Sequence, residues 1–580
     1  MQRQVLLAIV LSFLVIYGWQ ALFPPPQAPK PTPAPRQVTQ APSGAAAPTA
    51  APTVTGVEQP RLVETPAPAV ATVVAAANEQ DIKVRSKFVD ATFSTRGGVL
   101  KSWRLNNYKD GLGQPLELVP QNLPNAVRPF TLEVDDPAIS ARLREALFKP
   151  DRESLDVSST STTLAFEFED ASGLKARKEF TFSPDQPYLI RFTANVTSNA
   201  NTLNPTITWG PALGTGVVSS GMTYAPAPQP ILFRDRDVTR VAIKDIAAHQ
   251  QEQGSFGFAG VDDHYFLNVI LPGQQPIQLQ FAPIQTTTST GQALQFISWN
   301  VRGASPPQNT DFFFGPKDLD VLQNVKPELV RAIHFGMFDW LVVPLLRALK
   351  WVNGYIGNYG WSIVALTVLI NLVMFPLRHK SVVSMRKMQE LQPQMKAIQD
   401  RYSKLKMTDP ARQKMNEEVM ALYKQHGTNP AAGCVPMLLT LPVLIAFYSM
   451  LSVAIELRGA PFVGWIRDLS SYDPWYVLPV LMGATQFIQT KMTPMSGDPM
   501  QQRMMLFMPL MFAGMLLWAP SGLVLYWTAS NIWTIGQQTI TNKLIGPAPQ
   551  HNVRPPAERQ LKNAGAGRSA GAKERKREGA

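Results

Sequence analysis

Two periodicities divide this chain of 580 residues. Between about residues 78 and 318, apolar and polar side chains alternate with period two, as in Leu164-Ala-Phe-Glu-Phe, Tyr188-Leu-Ile-Arg-Phe-Thr-Ala-Asn-Val and Ile277-Gln-Leu-Gln-Phe. Alternation of this kind buries one face of a strand, and turn clusters such as Ser183-Pro-Asp-Gln-Pro separate the runs. The pattern predicts a large β-sandwich. Beyond Gly360 the alternation gives way to five apolar stretches, about Gly360–Leu377, Gly433–Ile455, Trp475–Thr490, Met504–Trp518 and Leu523–Thr541. Each is near or slightly below the ~20 residues that cross a ~30 Å hydrocarbon core, and none carries a Lys, Arg, Asp or Glu in its interior. A sixth apolar stretch, Val5–Phe23, follows Met1-Gln-Arg-Gln and ends at Pro24. No small-x-small site closely follows its core, so it reads as an uncleaved anchor.

Between the anchor and the first strands, residues 24–77 hold 13 prolines and few bulky apolar groups, which predicts an extended linker. Arg331–Val352 joins the β region to the second span. At 100° per residue it gathers Asp339, Arg347 and Lys350 on one face, and its apolar residues populate the rest. This predicts an interfacial amphipathic helix, bent at Pro344, with packing on the β domain as the alternative. In residues 378–430, apolar positions at Met388, Leu391, Met395, Ile398, Tyr402 and Leu405 alternate steps of three and four, and Asp409-Pro410 supplies a cap and a first-turn proline before Met415, Val419 and Leu422. A basic helical hairpin follows.

Charge orients the whole. Arg378–His426 carries 11 Lys/Arg against 5 acidic residues, and Lys543–Ala580 carries 9 against 3. By the positive-inside rule both are cytoplasmic, so both termini lie inside and residues 24–330 lie across the membrane. The net charge of +12 resides largely in these two segments and suits anionic lipid or RNA. Arg386, Lys387, Lys404 and Lys406 of the hairpin, with Lys573, Arg575, Lys576 and Arg577 of the tail, are the candidate contacts for a ribosome or targeting factor.

Catalytic chemistry finds little support. Six histidines and one cysteine, Cys434, provide no metal-ligand cluster or disulfide framework, and no Walker-type loop is present. Asp262-Asp263-His264 reads as structural, because neighbours on a strand point to opposite faces. The apolar stretches themselves carry the informative polar groups. Thr367, Asn371, Met374 and Arg378 fall on one helical stripe, and Trp527, Asn531, Thr534 and Gln538 repeat that spacing. Two such stripes facing each other would line a polar groove. A secondary transporter would place ionisable groups or broken helices near the midplane, and neither is evident. An anchored carbohydrate-binding module would explain the β region but not five polar-striped spans with a basic hairpin.

The runs Ala432-Gly-Cys-Val-Pro-Met-Leu-Leu-Thr-Leu-Pro, Ala460-Pro-Phe-Val-Gly-Trp-Ile-Arg-Asp-Leu-Ser, Asp498-Pro-Met-Gln-Gln-Arg and Pro520-Ser-Gly-Leu-Val-Leu-Tyr-Trp, with Phe314-Gly-Pro-Lys, resemble the Gram-negative branch of the YidC/Oxa/Alb family. The likeness extends over essentially the whole chain. It implies a polytopic α-helical inner-membrane protein with six spans, five of them an insertase core, plus a large periplasmic all-β sandwich of supersandwich type. Its parts would be an anchor 1–23, linker 24–77, β domain 78–318, connector and interfacial helix 319–355, core 356–543 with hairpin 378–430, and tail 544–580. The resemblance further implies an insertase and chaperone, not an enzyme and without cofactors, that takes nascent membrane proteins through a groove open to cytoplasm and lipid. Its implied partners are the ribosome, the Sec translocon and its accessory subunits, the signal recognition particle receptor and membrane lipids. Aligned through Met374-Phe-Pro-Leu, the family's groove arginine is replaced here by Asn371, and of two family aromatics in the last span the first is Tyr526 and the second is Trp527.

Overall fold

The computed structural model describes residues 71–545 apart from 111, 122, 124–125, 214–227, 288–292, 403–410, 428–434 and 494–498. The expected anchor, the linker as far as residue 70, Asp409-Pro410, Lys404, Lys406 and the tail with Lys573, Arg575, Lys576 and Arg577 lie outside the described residues.

The period-two segments are strands. Thr162–Asp170, Leu174–Ser183 and Gln186–Ser198 form an antiparallel meander in which Phe180 faces Leu164 on one side and Phe192 on the other. The predicted turn closes at residues 184 and 185, where register slips beyond Phe182 opposite Ile190. This sheet continues through Thr310–Pro316, Phe266–Leu271, Phe258–Asp262 and Gln229–Arg234. Two five-stranded sheets complete the domain, one centred on the long pair Ile277–Thr287 and Ala293–Gly303, the other on Val99–Lys109, Val89–Ser94 and Asp81–Ser86. One departure from expectation is Thr72–Val74, placed in the linker by composition but paired with Asp170 and Glu169. Three β-branched residues suffice for a strand when a formed sheet offers its edge.

Aromatic residues fill the core. Phe130 meets Phe180, Phe192, Trp209 and Phe312 with ring centroids 4.8–5.1 Å apart, and Trp209 stacks on Trp299 at 5.6 Å. Among these rings lies a fully buried lysine. Lys178 Nζ donates to the carbonyls of Gly97 (2.6 Å), Phe130 (2.8 Å) and Gly98 (3.3 Å), one for each N–H of an ammonium, and sits 5.3 Å from the Phe148 ring centroid. Gly97 and Gly98 both have positive φ, which turns their carbonyls inward at little steric cost.

The remainder is helical. After α1 (Pro137–Glu145, within the β domain) come α2 (Leu319–Val325) and α3 (Asp339–Ile356), which starts later than the predicted Arg331 because Pro327–Ala332 forms a short 3₁₀ turn. Helix α3 buries Val342, Leu345, Leu346 and Leu349 and exposes Trp340, Trp351 and Tyr355. The expected charged face is partly consumed: Lys350 pairs with Asp318, Asp320 and Glu456.

Helix α4 (Tyr359–Arg401) runs 43 residues without interruption, so the second span and the first arm of the hairpin are one element. Between Leu377 and Arg401 the helix carries Pro393 in its interior and continues through it. The second arm, α5 (Ala411–Gln425), returns along it through Arg401–Glu418 (2.9 Å) and Tyr402 Oη to Glu418 (2.7 Å), with Leu391, Ile398 and Tyr423 buried in the seam. Then follow α6 (Val435–Val453), α7 (Val477–Met492), α8 (Pro499–Met515) and α9 (Ser521–Ile545). Among the described residues one segment, Tyr359–Met385, is both long and apolar enough to cross a membrane by length and composition alone; Leu441–Val453 and Leu506–Met515 are shorter apolar helices.

The buried lysine gives a pH-dependent stability. Burial pushes the Lys178 ammonium down to about 7 from its ordinary 10.5. Between those values the unfolded chain binds more protons than the folded one, so stability rises with pH across that window. Thermal unfolding of the full chain in detergent, followed by tryptophan fluorescence, is expected to shift upward from pH 7 to 9.5. In Lys178→Met the shift disappears and stability falls by about 1–3 kcal/mol, the cost of unpaired buried carbonyls.

Candidate functional site

The polar groups of α4 start from its own backbone. Thr367 Oγ1 donates to the Ile363 carbonyl (2.6 Å) and Asn371 Nδ2 to the Thr367 carbonyl (2.8 Å); both side chains are buried. Asn371 thus presents its amide oxygen away from the helix. That oxygen accepts from Arg378 Nη1 at 2.8 Å, and the same nitrogen donates to Thr534 Oγ1 of α9 at 3.2 Å. Helical side chains lean toward their own N-terminus, which lets the long Arg378 stem cover the two turns back to Asn371. The guanidinium therefore ties α4 to α9. Among the described residues no carboxylate pairs with it.

Of the two predicted stripes, only part of the second faces the first. Thr534 meets Arg378, but Trp527 and Asn531 turn to α7: Trp527 Nε1 donates to Gln486 Oε1 (3.1 Å), and Asn531 Nδ2 to Thr485 Oγ1 (3.2 Å) and the Met482 carbonyl (3.4 Å). Gln538 bonds Asn542 on its own helix at 3.1 Å. Tyr526 stacks on Phe447 of α6 with centroids 4.4 Å apart and planes 10° from parallel. The bonded polar groups consequently come from three helices, α4, α7 and α9. Sequence reasoning passed over Thr485 and Gln486, whose only signal was polarity inside an apolar run. Gln537 of α9 is also buried, with both amide atoms unpaired among the described residues. Large apolar side chains stand outward, including Leu372 and Val373 of α4 and Phe507 and Leu510 of α8.

On the hairpin Lys387 is exposed; the Arg386 side chain lies outside the described residues, as do Lys404 and Lys406. Asp262-Asp263-His264 divides its groups between three structural tasks. Asp262 pairs with Arg240 (3.0 Å) and Lys317 (3.2 Å), Asp263 accepts from the Tyr265 and Phe266 amides, and His264 Nε2 bonds the Ser452 carbonyl of α6 at 2.7 Å. Burial holds the His264 imidazole below its usual value, which favours the neutral ring donating to that carbonyl.

Family models match most of the chain. Residues 81–348 match that of the YidC periplasmic domain and residues 351–548 that of the 60Kd inner membrane protein. The chain is 36% identical over 562 residues to the membrane protein insertase YidC of Geobacter metallireducens, covering 94% of this chain and 99% of that protein. It is 34% identical over 567 residues to the one of Syntrophus aciditrophicus, covering 94% and 100%. A crystal structure of an active YidC insertase with its first transmembrane domain resolved aligns at a TM-score of 0.33 and 18% identity, over 81% of this chain and 94% of that one. With family models over both halves and relatives matched along nearly their full length, this chain belongs to the YidC family of inner-membrane protein insertases, which are not enzymes.

Proposed function

We propose that this chain inserts and folds nascent inner-membrane proteins by receiving them in the polar site between α4, α7 and α9, a groove open to cytoplasm and lipid, alone or beside the Sec translocon. The observation that carries this reading is the Arg378 guanidinium held by Asn371 and Thr534 with no carboxylate among the described residues. A cation kept beside apolar helices at such cost marks a functional site.

Six spans with both termini cytoplasmic, residues 24–330 periplasmic and α3 lying at the outer interface form the topology that agrees with loop charge and with the outward Trp340, Trp351 and Tyr355. The groove residues are Thr367, Asn371, Arg378, Tyr526, Trp527, Asn531, Thr534 and Gln538, to which Thr485 and Gln486 are added. Ribosome, signal recognition particle receptor and anionic lipid meet the basic hairpin and tail.

Energy is not the obstacle for such a protein. A substrate span of ~20 strongly apolar residues gains roughly 6–12 kcal/mol, while carrying one charge through the core costs about 2.5–3.5 kcal/mol. Insertion then runs downhill once polar flanks are kept hydrated for part of the passage. Helices α7 and α8, of 16 and 17 residues, rise only about 24 and 26 Å at 1.5 Å per residue, so the slab to be crossed is thin beside them.

Arg378→Gln is expected to slow insertion of substrates with acidic translocated segments about tenfold or more, the equivalent of one charge-assisted contact at about 1.5–3 kcal/mol, and to spare plainly apolar substrates. Initial insertion rates into proteoliposomes measure this. A uniform effect on both classes would leave Arg378 as a membrane-edge anchor. The exchange Asn371→Arg with Arg378→Gln is expected to restore the acidic class.

Removing residues 544–580 and neutralising Arg386, Lys387, Lys404 and Lys406 together is expected to weaken ribosome binding, and the native affinity should fall steeply with salt as counterions are released. Co-sedimentation across a salt series checks it. Binding that is indifferent to salt and survives both changes would remove the hairpin and tail from the docking surface.

A further inference from the structure

One end of the sheet built on Asp81–Ser86, Val89–Ser94 and Val99–Lys109 is turned toward the helical half. Val89 pairs with Leu105, so residues 86–89 lie at the end toward which Val99–Lys109 runs, and there the Lys109 carbonyl accepts from Arg458 Nη1 of the link between α6 and α7 (3.0 Å). A second path leads to the same place. Phe88 of the turn meets Tyr188 with ring centroids 6.2 Å apart, a Cβ on Gly315 would lie 2.6 Å from that of Tyr188, and Asp318, three residues further, holds Lys350 of α3 at 3.4 Å. Helix α3 is the element that exposes Trp340, Trp351 and Tyr355, side chains suited to a membrane interface.

A cavity of about 440 Å³ opens at this turn, with Arg85, Lys87, Phe88 and Asp156 on one side and Pro184 and Pro187 on the other. Its size suits a small polar ligand. The turn that presents it is fixed: Ser86 Oγ donates to the Val89 carbonyl (3.1 Å) and accepts from the Phe88 and Val89 amides (3.3 and 2.9 Å), while Asn106 bonds the carbonyls of Ser86 (3.3 Å) and Phe88 (2.9 Å). Lys87 Nζ consequently stands 5.4 Å from the Phe88 ring centroid. Arg85 and Asp156 are register partners on adjacent parallel strands, yet among the described residues neither they nor Lys87 enter an ion pair. Exposed arginines elsewhere in the domain are matched, Arg96 by Glu79 and Glu145, Arg177 by Glu167 and Glu179, Arg191 by Asp311.

We propose that this cavity binds a phospholipid headgroup that carries both a phosphate and a primary ammonium: Arg85 and Lys87 take the phosphate, Asp156 takes the ammonium, and Phe88, Pro184 and Pro187 cover the carbons between them. The proposal rests on the topology given above, which sets this end of the β domain on the outer membrane surface. Two cations beside one carboxylate select a ligand of both signs. A headgroup with phosphate alone leaves Asp156 facing an anion, and one with ammonium alone leaves two cations unmatched. Hydrogen bonds between ionised partners are about twice as strong as neutral ones, and the arginine fork matches phosphate oxygens two at a time. A headgroup tethered in the bilayer beside the site also has a high effective concentration, so contacts this exposed suffice to hold it. The β domain thereby gains a foothold on the membrane apart from α3.

The test uses the full chain in vesicles of equal phosphatidylethanolamine and phosphatidylglycerol, with benzoylphenylalanine in place of Ser158, an exposed residue at the cavity rim. Irradiation followed by mass spectrometry of the protein–lipid adducts reads the ratio of the two headgroups. The native rim is expected to favour phosphatidylethanolamine at least about fivefold, as charge-assisted contacts to both of its ions imply. Arg85→Gln with Lys87→Gln, or Asp156→Asn alone, is expected to return the ratio to that of the bilayer at an unchanged unfolding temperature. Adducts at the bilayer ratio with the native rim, or a preference that survives both variants, overturn the site. Soluble glycerophosphoethanolamine at the same total concentration as the lipid is expected to leave the adducts in place; if it displaces them, the site serves a free solute and the lipid assignment falls. In parallel, Ser158→Cys with Cys434→Ser is expected to react with an impermeant maleimide only from the face opposite the C-terminal tail. Reaction from the tail's own face overturns the topology instead, and the adduct ratio alone then decides the site.

Discussion

A guanidinium between two apolar helices is the constraint around which the helical half is arranged. Arg378 is held by one amide oxygen and one hydroxyl, from Asn371 and Thr534, and neither partner cancels its charge. Arg378 is half-buried, and a cation without a countercharge is least costly where part of it stays in water. The same helices must nevertheless present apolar surface outward, as Leu372 and Val373 do. Polar groups bonded between the helices and apolar side chains turned outward are two answers to this one requirement.

Asn371 shows how a site tolerates the loss of a charge at one position. Asn371 stands where the family resemblance implies an arginine, and a guanidinium from two helical turns further along, that of Arg378, reaches back to it. The amide then becomes an acceptor that orients the arriving guanidinium.

Much of this was legible from residue order alone. Strands such as Thr162–Asp170 and Gln186–Ser198 declared themselves because a half-buried sheet imposes strict alternation, and the stripe Thr367–Asn371–Arg378 because one helix imposes its own period. What stayed hidden depends on a second element. Thr72–Val74 becomes a strand only because Asp170 offers a sheet edge. Trp527 and Asn531 bond α7 and not α4, and no periodicity within α9 specifies which neighbour its stripe meets. The span predicted to end at Leu377 and the first arm of the hairpin are one helix because a change from apolar to charged side chains marks a change of solvent, and the backbone continues regardless.

That continuity gives the molecule a mechanical property. At 1.5 Å per residue, α4 is a rod of about 65 Å whose one end is clamped by Asn358 and Phe462 and whose other end stands in the hairpin. A load placed on the hairpin acts on a lever with its fulcrum inside the bundle, and Pro376 and Pro393 are the two points where backbone hydrogen bonding is interrupted and the rod can flex. Arg378 lies two residues past the first of them. A rotation of the hairpin arm about Pro376 therefore moves the Arg378 guanidinium relative to Thr534, its partner on α9.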